Sequence, residues 1–151
     1  MRQFQSLDEL KTLIGQVIGV SDWFLVDQER VNSFADATED HQWIHVDVER
    51  AAREMPCKST IVHGYLTLSL LPMFMSQIMT LENISMGINY GANKVRFINM
   101  VPVGARLRAR MVLKAADPKG AGLMVANEIT VEIEGEAKPA LIAETLSLYY
   151  P

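Results

Sequence analysis

Gly64-Tyr65-Leu66-Thr67-Leu68-Ser69-Leu70-Leu71-Pro72-Met73-Phe74-Met75-Ser76-Gln77-Ile78-Met79 is the stretch from which the fold can be read. It has helical character with apolar residues nearly all round, and such a helix is normally buried in the middle of a domain. Pro72 lacks a backbone N–H and clashes with the preceding turn, so a kink or break is expected there. Thr67, Ser69, Pro72, Ser76 and Gln77 interrupt the stretch, which is also too short to cross a bilayer.

Downstream of Asn83 the hydrophobic period changes to two. Leu107, Ala109, Met111 and Leu113 alternate with Arg106, Arg108, Arg110 and Lys114, with Val112 the exception. Leu123, Val125, Asn127, Ile129, Val131 and Ile133 alternate with Met124, Ala126, Glu128, Thr130, Glu132 and Glu134. Each pattern predicts a half-buried antiparallel strand. Asp117-Pro118-Lys119-Gly120 between them reads as a turn with proline at its second position. Residues 84–97 and 140–150 supply two more strands. Upstream, Ser6 with Glu9 three residues later predicts a capped helical turn. Residues 17–26 form a weak strand candidate. Residues 27–37 read as a helix with Val31 and Phe34 on one face, and Asp47 as the N-cap of a further short helix. A buried helix followed by long antiparallel strands predicts an α+β fold whose sheet wraps or covers the helix, with residues 1–151 as one domain.

Composition narrows the function classes. With 49% hydrophobic and 21% charged residues the chain reads as globular. A net charge of -4 argues against a nucleic-acid partner. Cys57 is the only cysteine, so no intrachain disulfide is possible. The first ten residues lack the apolar core of a signal peptide. The expectation is a cytoplasmic protein without a membrane partner.

The segment Phe34-Ala35-Asp36-Ala37-Thr38-Glu39-Asp40-His41-Gln42-Trp43-Ile44-His45 brings an acid and a base together. Asp40 and His45 are five positions apart, a poor spacing for one helix face, so they belong on a loop or bend. Apolar bulk from Phe34, Trp43 and Ile44 would raise the Asp pKa and lower the His pKa, the conditions for acid/base work near neutrality. The plainer alternative makes Asp40 a cap and His45 a hydrogen-bonded structural residue. His63-Gly64 marks the start of the buried helix, where free N–H groups and the positive end of the dipole meet. Gly64 could present its N–H to a carbonyl oxygen gaining charge, or could simply permit close packing. His41, His45 and His63 with Asp36, Asp40 and Asp47 are ligand-type residues, but the expectation is no metal. Cys57 beside Lys58 has no dedicated base and reads as an incidental thiol. Lys94, Arg96, Arg106, Arg108 and Arg110 read as solvated strand faces, or more sharply as partners of cofactor phosphates. The nine methionines read as core filling or an adaptable tunnel wall.

Phe34, Thr38, Asp40, Ile44, His45 and Ala51 resemble the signature of the MaoC-like, (R)-specific enoyl-CoA hydratases: an aromatic and a small residue, Gly-Asp-x-Asn-Pro, an aliphatic residue, His, and a small residue six further on. Ile61-Val62-His63-Gly64, Lys94-Val95-Arg96-Phe97 and Val101-Pro102-Val103-Gly104 match the family in order and spacing. Asp40-His41-Gln42-Trp43-Ile44-His45 is most similar to the nodulation protein N-like branch. Glu39 stands where the signature has Gly, Gln42 where it has Asn, and Trp43 where it has Pro.

The resemblance implies a hot-dog fold with residues 64–79 as the central helix, and a homodimer holding a CoA or acyl-carrier thioester between protomers. It implies hydration of trans-2-enoyl thioesters, or the reverse dehydration, by Asp40 and His45 without a cofactor. Gly64 N–H would take the thioester oxygen, Gln42 would orient water or substrate, and Lys94 and Arg96 would meet CoA. A hot-dog thioesterase is the alternative enzyme. A non-catalytic acyl-thioester binding module is the third reading, motivated by Glu39 and Pro72.

Overall fold

Pro72 decides how the apolar stretch is built. In the computed structural model, which describes residues 1–151, it does not form one helix but two in succession, α5 (Gly64–Ser69) and α6 (Leu71–Ile78). Leu70 joins them in right-handed conformation, and its N–H bonds back to Leu66 O and Thr67 O. Pro72 falls in the first turn of α6, where a missing N–H costs least. Met79 has already left the helix and opens a short strand.

The remaining elements follow in chain order. They are β1 (Arg2–Phe4), α1 (Leu7–Lys11), β2 (Val17–Val20), β3 (Phe24–Leu25), α2 (Gln28–Thr38), α3 (Trp43–Val46) and α4 (Val48–Glu54) before the central helices. After them come β4 (Met79–Leu81), β5 (Met86–Phe97), β6 (Arg106–Lys119), β7 (Gly122–Ile133) and β8 (Leu141–Tyr150). Ser6 accepts from Glu9 N, Asp27 from Arg30 N and Asp47 from Arg50 N, so the three sequence-predicted starts are side-chain caps. The weak strand at 17–26 resolves into β2 and β3, which both pair with β6.

The large sheet is antiparallel in the order β2-β6-β7-β8-β5. Every second residue of β7 from Leu123 to Ile133 is buried, as the alternation requires. In β6 the alternation holds through Leu113, then a register shift before Ala115 moves burial to Ala116. The predicted turn lies further on than expected. Pro118 and Lys119 still pair with Leu123 and Gly122, and Gly120, at φ 58°, begins a two-residue turn. A hairpin this tight needs positive φ, which glycine takes without strain and proline cannot take at all. The small parallel pair β1–β4, which had no signal in the sequence, ties the N-terminus to the end of α6.

The sheet's inner face closes on α5–α6. Leu66, Leu70, Phe74 and Ile78 share one core cluster with Leu107, Met111, Val125, Ile129 and Leu141. Phe74 is fully buried, a placement that contributes roughly 1.5–3 kcal/mol for such a side chain. This is the hot-dog arrangement, a curved sheet wrapped on a central helix.

Candidate active site

Three segments build the site: the bend between α2 and α3, the extended strip 60–62, and the start of α5. The strip is clamped on both sides. Ile61 N donates to Ile44 O at 2.9 Å, while Val62 N donates to Val101 O at 2.8 Å and Val103 N to Thr60 O at 2.9 Å. Gln28, at the start of α2, donates to His45 O at 2.7 Å and accepts from Thr60 Oγ1. The backbone on each side of His45 is therefore held before its side chain is considered.

His45 is 7% exposed, and its Nδ1 lies 2.7 Å from Ile61 O. A carbonyl oxygen only accepts, so Nδ1 carries the proton and the neutral ring keeps a lone pair on Nε2. Burial pushes the His45 pKa down, with His63 adding to the effect, while the Ile61 bond and Asp40 oppose it. Both imidazole expectations, burial and a depressed pKa, are met. The enclosure does not extend to Asp40, which sits on the bend and is exposed. Asp40 also caps no helix: the N-cap of α3 is Gln42, which makes no side-chain cap bond.

His63 ties the two together, which spacing alone could not show. Its ring stacks on His45 with centroids 3.8 Å apart, and its Nε2 donates to Asp40 O at 3.0 Å. Phe34 closes over it at 5.0 Å. One carboxylate oxygen of Asp40 and one nitrogen from each ring lie within 4.8 Å of one another. A metal's donor atoms are that close, but two lone pairs in nearly parallel stacked rings, 23° apart, do not converge at the bonding distance of about 2 Å. His41 and His45 have the i, i+4 spacing of helical zinc ligands. His41 nevertheless lies outside α3 and pairs with Asp36 at 2.9 Å.

A cavity of about 280 Å³ opens beside His45 and is lined by Ile61, Gly64, Thr67, Phe97 and Met100 among others. Gly64 is the first residue of α5, where N–H groups have no intrahelical acceptor. A Cβ there would lie 3.0 Å from the Phe97 ring, so glycine is needed for the close approach. Gln42 is exposed between Asp40 and His45. Lys94 and Arg96 are not brought to this cavity: they pair with Glu144 and Ile142 on the outer face of β5, opposite Val95 and Phe97. Arg106 and Arg108 bond Glu134 and Glu132, which is the solvated-face reading. Cys57 is exposed and its thiol donates to Ser59 O. No helix is long and apolar enough to cross a membrane.

The family model of the MaoC like domain matches residues 9–134. This chain belongs to the MaoC-like dehydratase family. The MaoC-like chain is 50% identical over 150 residues to 3-hydroxyacyl-thioester dehydratase Z of Mycobacterium tuberculosis, covering 99% of each. It is 48% identical over 145 residues to Nodulation protein N of Rhizobium leguminosarum bv. viciae, covering 95% of this chain and 90% of that one. Its fold superposes on the (R)-hydratase from A. caviae involved in PHA biosynthesis with a TM-score of 0.72, at 22% identity over 89% of this chain and 94% of the other. Two departures from the MaoC-like signature now have local explanations. Glu39 ends α2 in left-handed conformation, φ 62° and ψ 16°, the backbone that a glycine adopts most easily. Trp43 takes the first helical position of α3, where proline is favoured, and stacks under Arg50 at 4.1 Å.

Proposed function

We propose that this protein, with residues 1–151 acting as one MaoC-like domain, hydrates trans-2-enoyl thioesters to (R)-3-hydroxyacyl thioesters and catalyses the reverse dehydration. The observation that carries this reading is the fixed neutral tautomer of His45 beside Asp40 at the mouth of a cavity shared with Gly64. A water held between Asp40 and His45 gives its oxygen to the β carbon, and a proton returns to the α carbon. Charge that builds on the thioester oxygen is met by the Gly64 N–H. Gln42, on the bend between the two, orients water or substrate. The chemistry needs no cofactor, because water and two side chains supply every proton. The identity to dehydratase Z supports the reaction class.

The occupant is a CoA or acyl-carrier thioester, and the assembly is a homodimer. Edge strand β5 supports the dimer, since Met86, Ile88, Tyr90 and Phe97 are all large and exposed along it. Lys94 and Arg96, on its outer face, are assigned to the phosphate end of the carrier, away from the reacting carbons. The exposed free thiol suits a reducing, cytoplasmic setting.

Mixing the protein with short- and medium-chain trans-2-enoyl-CoA tests the reading. Enoyl absorbance should fall with no release of free thiol. Thiol release would make it a thioesterase. Binding without turnover, on CoA and on carrier protein, would make it a binding module.

A further inference from the structure

Beyond the His45 cavity, a second cavity of about 520 Å³ lies between the central helices and the β5–β8 edge. The helix residues lining them are Gly64 and Thr67 at the first and Leu68, Ser69, Leu71, Pro72 and Met75 at the second. All but Ser69 fall at positions i, i+3, i+4, i+7, i+8 and i+11, along one side of α5–α6. The cavities therefore follow one another along a single groove. On the sheet side, Phe97, which pairs with Leu141, lines the first cavity, and Thr145 lines the second. Four residues of strand put these levels roughly 13 Å apart.

The wall of the second cavity is unlike the rest of the inner sheet face. Thr145 pairs across strands with Asn127 on one side and Ala92 on the other, and Ser147 pairs with Asn89. Asn127 is 1% exposed, and neither its amide nitrogen nor its amide oxygen has a protein partner. The Thr145 hydroxyl is also buried without one. Desolvating such groups without hydrogen bonds is costly. Apolar residues would avoid that cost, as Ile129, Val131 and Ala143 do on the same face. The backbone is altered at this level too. Strand β5 has two register shifts, between Asn89 and Gly91 and between Ala92 and Lys94, which flank the residues facing Thr145 and Ser147. Bulges of this kind are over-represented beside binding sites.

We infer that the second cavity is a polar subsite of the acyl channel, where Thr145 and Ser147 in its wall, backed by the unpaired Asn127 amide beside Thr145, hydrogen-bond an oxygen carried on the acyl tail. This rests on the hydratase reading above and names its substrate class: acyl thioesters with a hydroxyl or carbonyl oxygen at a fixed depth from the thioester. An amide both donates and accepts, and a hydroxyl does the same, so the patch suits either oxygen. A site built to hydrogen-bond a substrate group discriminates against the analogue lacking it, because its own buried groups are then left unpaired.

The test compares kcat/KM for unsubstituted and ω-hydroxy trans-2-enoyl-CoA esters over a series of chain lengths. The hydroxylated ester should be preferred by roughly tenfold at one length, with the preference falling away on either side. Asn127→Leu and Thr145→Val should each lower that ratio, and the double variant should bring it near one. A ratio near one at every length in the wild type overturns the proposal, whether or not the variants fold. So does a ratio that survives in folded variants, which would mean that the patch holds only trapped water. If no enoyl ester turns over, the hydratase reading fails separately. Calorimetry with saturated acyl-CoA esters then decides the subsite: tighter binding of the hydroxylated ester upholds it, and equal binding overturns it.

Discussion

His41 and His45 lie one helical turn apart in sequence and in opposite environments. His41 is exposed, and the hydrogen bond to Asp36 raises its pKa. His45 is buried, donates to Ile61 O, and has its pKa lowered. One ring is held toward the charged form in solvent. The other is held neutral, with a lone pair at a cavity. A carboxylate near a histidine in sequence is thus no guide to which histidine can act as a base. Burial and the partner of the second nitrogen decide it.

The largest expected difference is in rate. His45→Gln should lower hydration by about 10²–10⁴-fold, whereas His41→Gln should stay within about twofold, an exposed ring being dispensable for the proposed base. Comparable losses in steady-state assays of the two variants would remove the distinction. Gly64→Ala comes next. Its methyl would press on the Phe97 ring from 3.0 Å, so stability should fall by about 1–3 kcal/mol by denaturant titration, with reduced kcat/KM. An unperturbed, fully active Gly64→Ala would show that close approach at the start of α5 is not needed.

The pH dependence should have opposite signs at the two rings. For His45 the folded pKa lies below the ordinary 6.5, so the unfolded chain takes up the proton first. Its contribution to stability is present above 6.5 and is lost as pH falls toward the lower folded value. Hydration should lose rate over the same acid range, since the protonated ring cannot accept. For His41 the folded pKa lies above 6.5, so its contribution is present below 6.5 and lost as pH rises through the higher folded value. Thermal melts across this range should lose the first slope in His45→Gln and the second in His41→Gln. The smallest effect is expected at Glu39. Glycine there relieves a left-handed backbone, so Glu39→Gly should stabilise by about 1 kcal/mol. A destabilised Glu39→Gly would mean that the glutamate side chain holds the bend.

The strands were the most legible elements, because side chains alternate with a period of two and one face must be buried. Val125, Ile129 and Val131 announce that face by themselves. Helix starts were legible for a similar local reason, since Ser6, Asp27 and Asp47 bond backbone only three residues away. The candidate pair Asp40 and His45 could be named from its chemistry and from the family signature. Its environment could not, because the groups that enclose His45 come from residues 61 and 63. Lys94 and Arg96 fit the pattern of the signature, yet strand alternation turns them to the outer face.

Sequence alone therefore determined what is local: the α+β periodicity, the caps, the apolar central segment with its break at Pro72, and the residue types for acid/base chemistry. Only the tertiary structure decided which histidine is neutral, that His63 bridges Asp40 and His45, and that Asn127 and Thr145 face each other under the central helices. The physical reason is that burial and hydrogen-bond partners are set by packing between distant segments. The Ile61 carbonyl that fixes the His45 tautomer is sixteen residues away in the chain and 2.7 Å away in the fold.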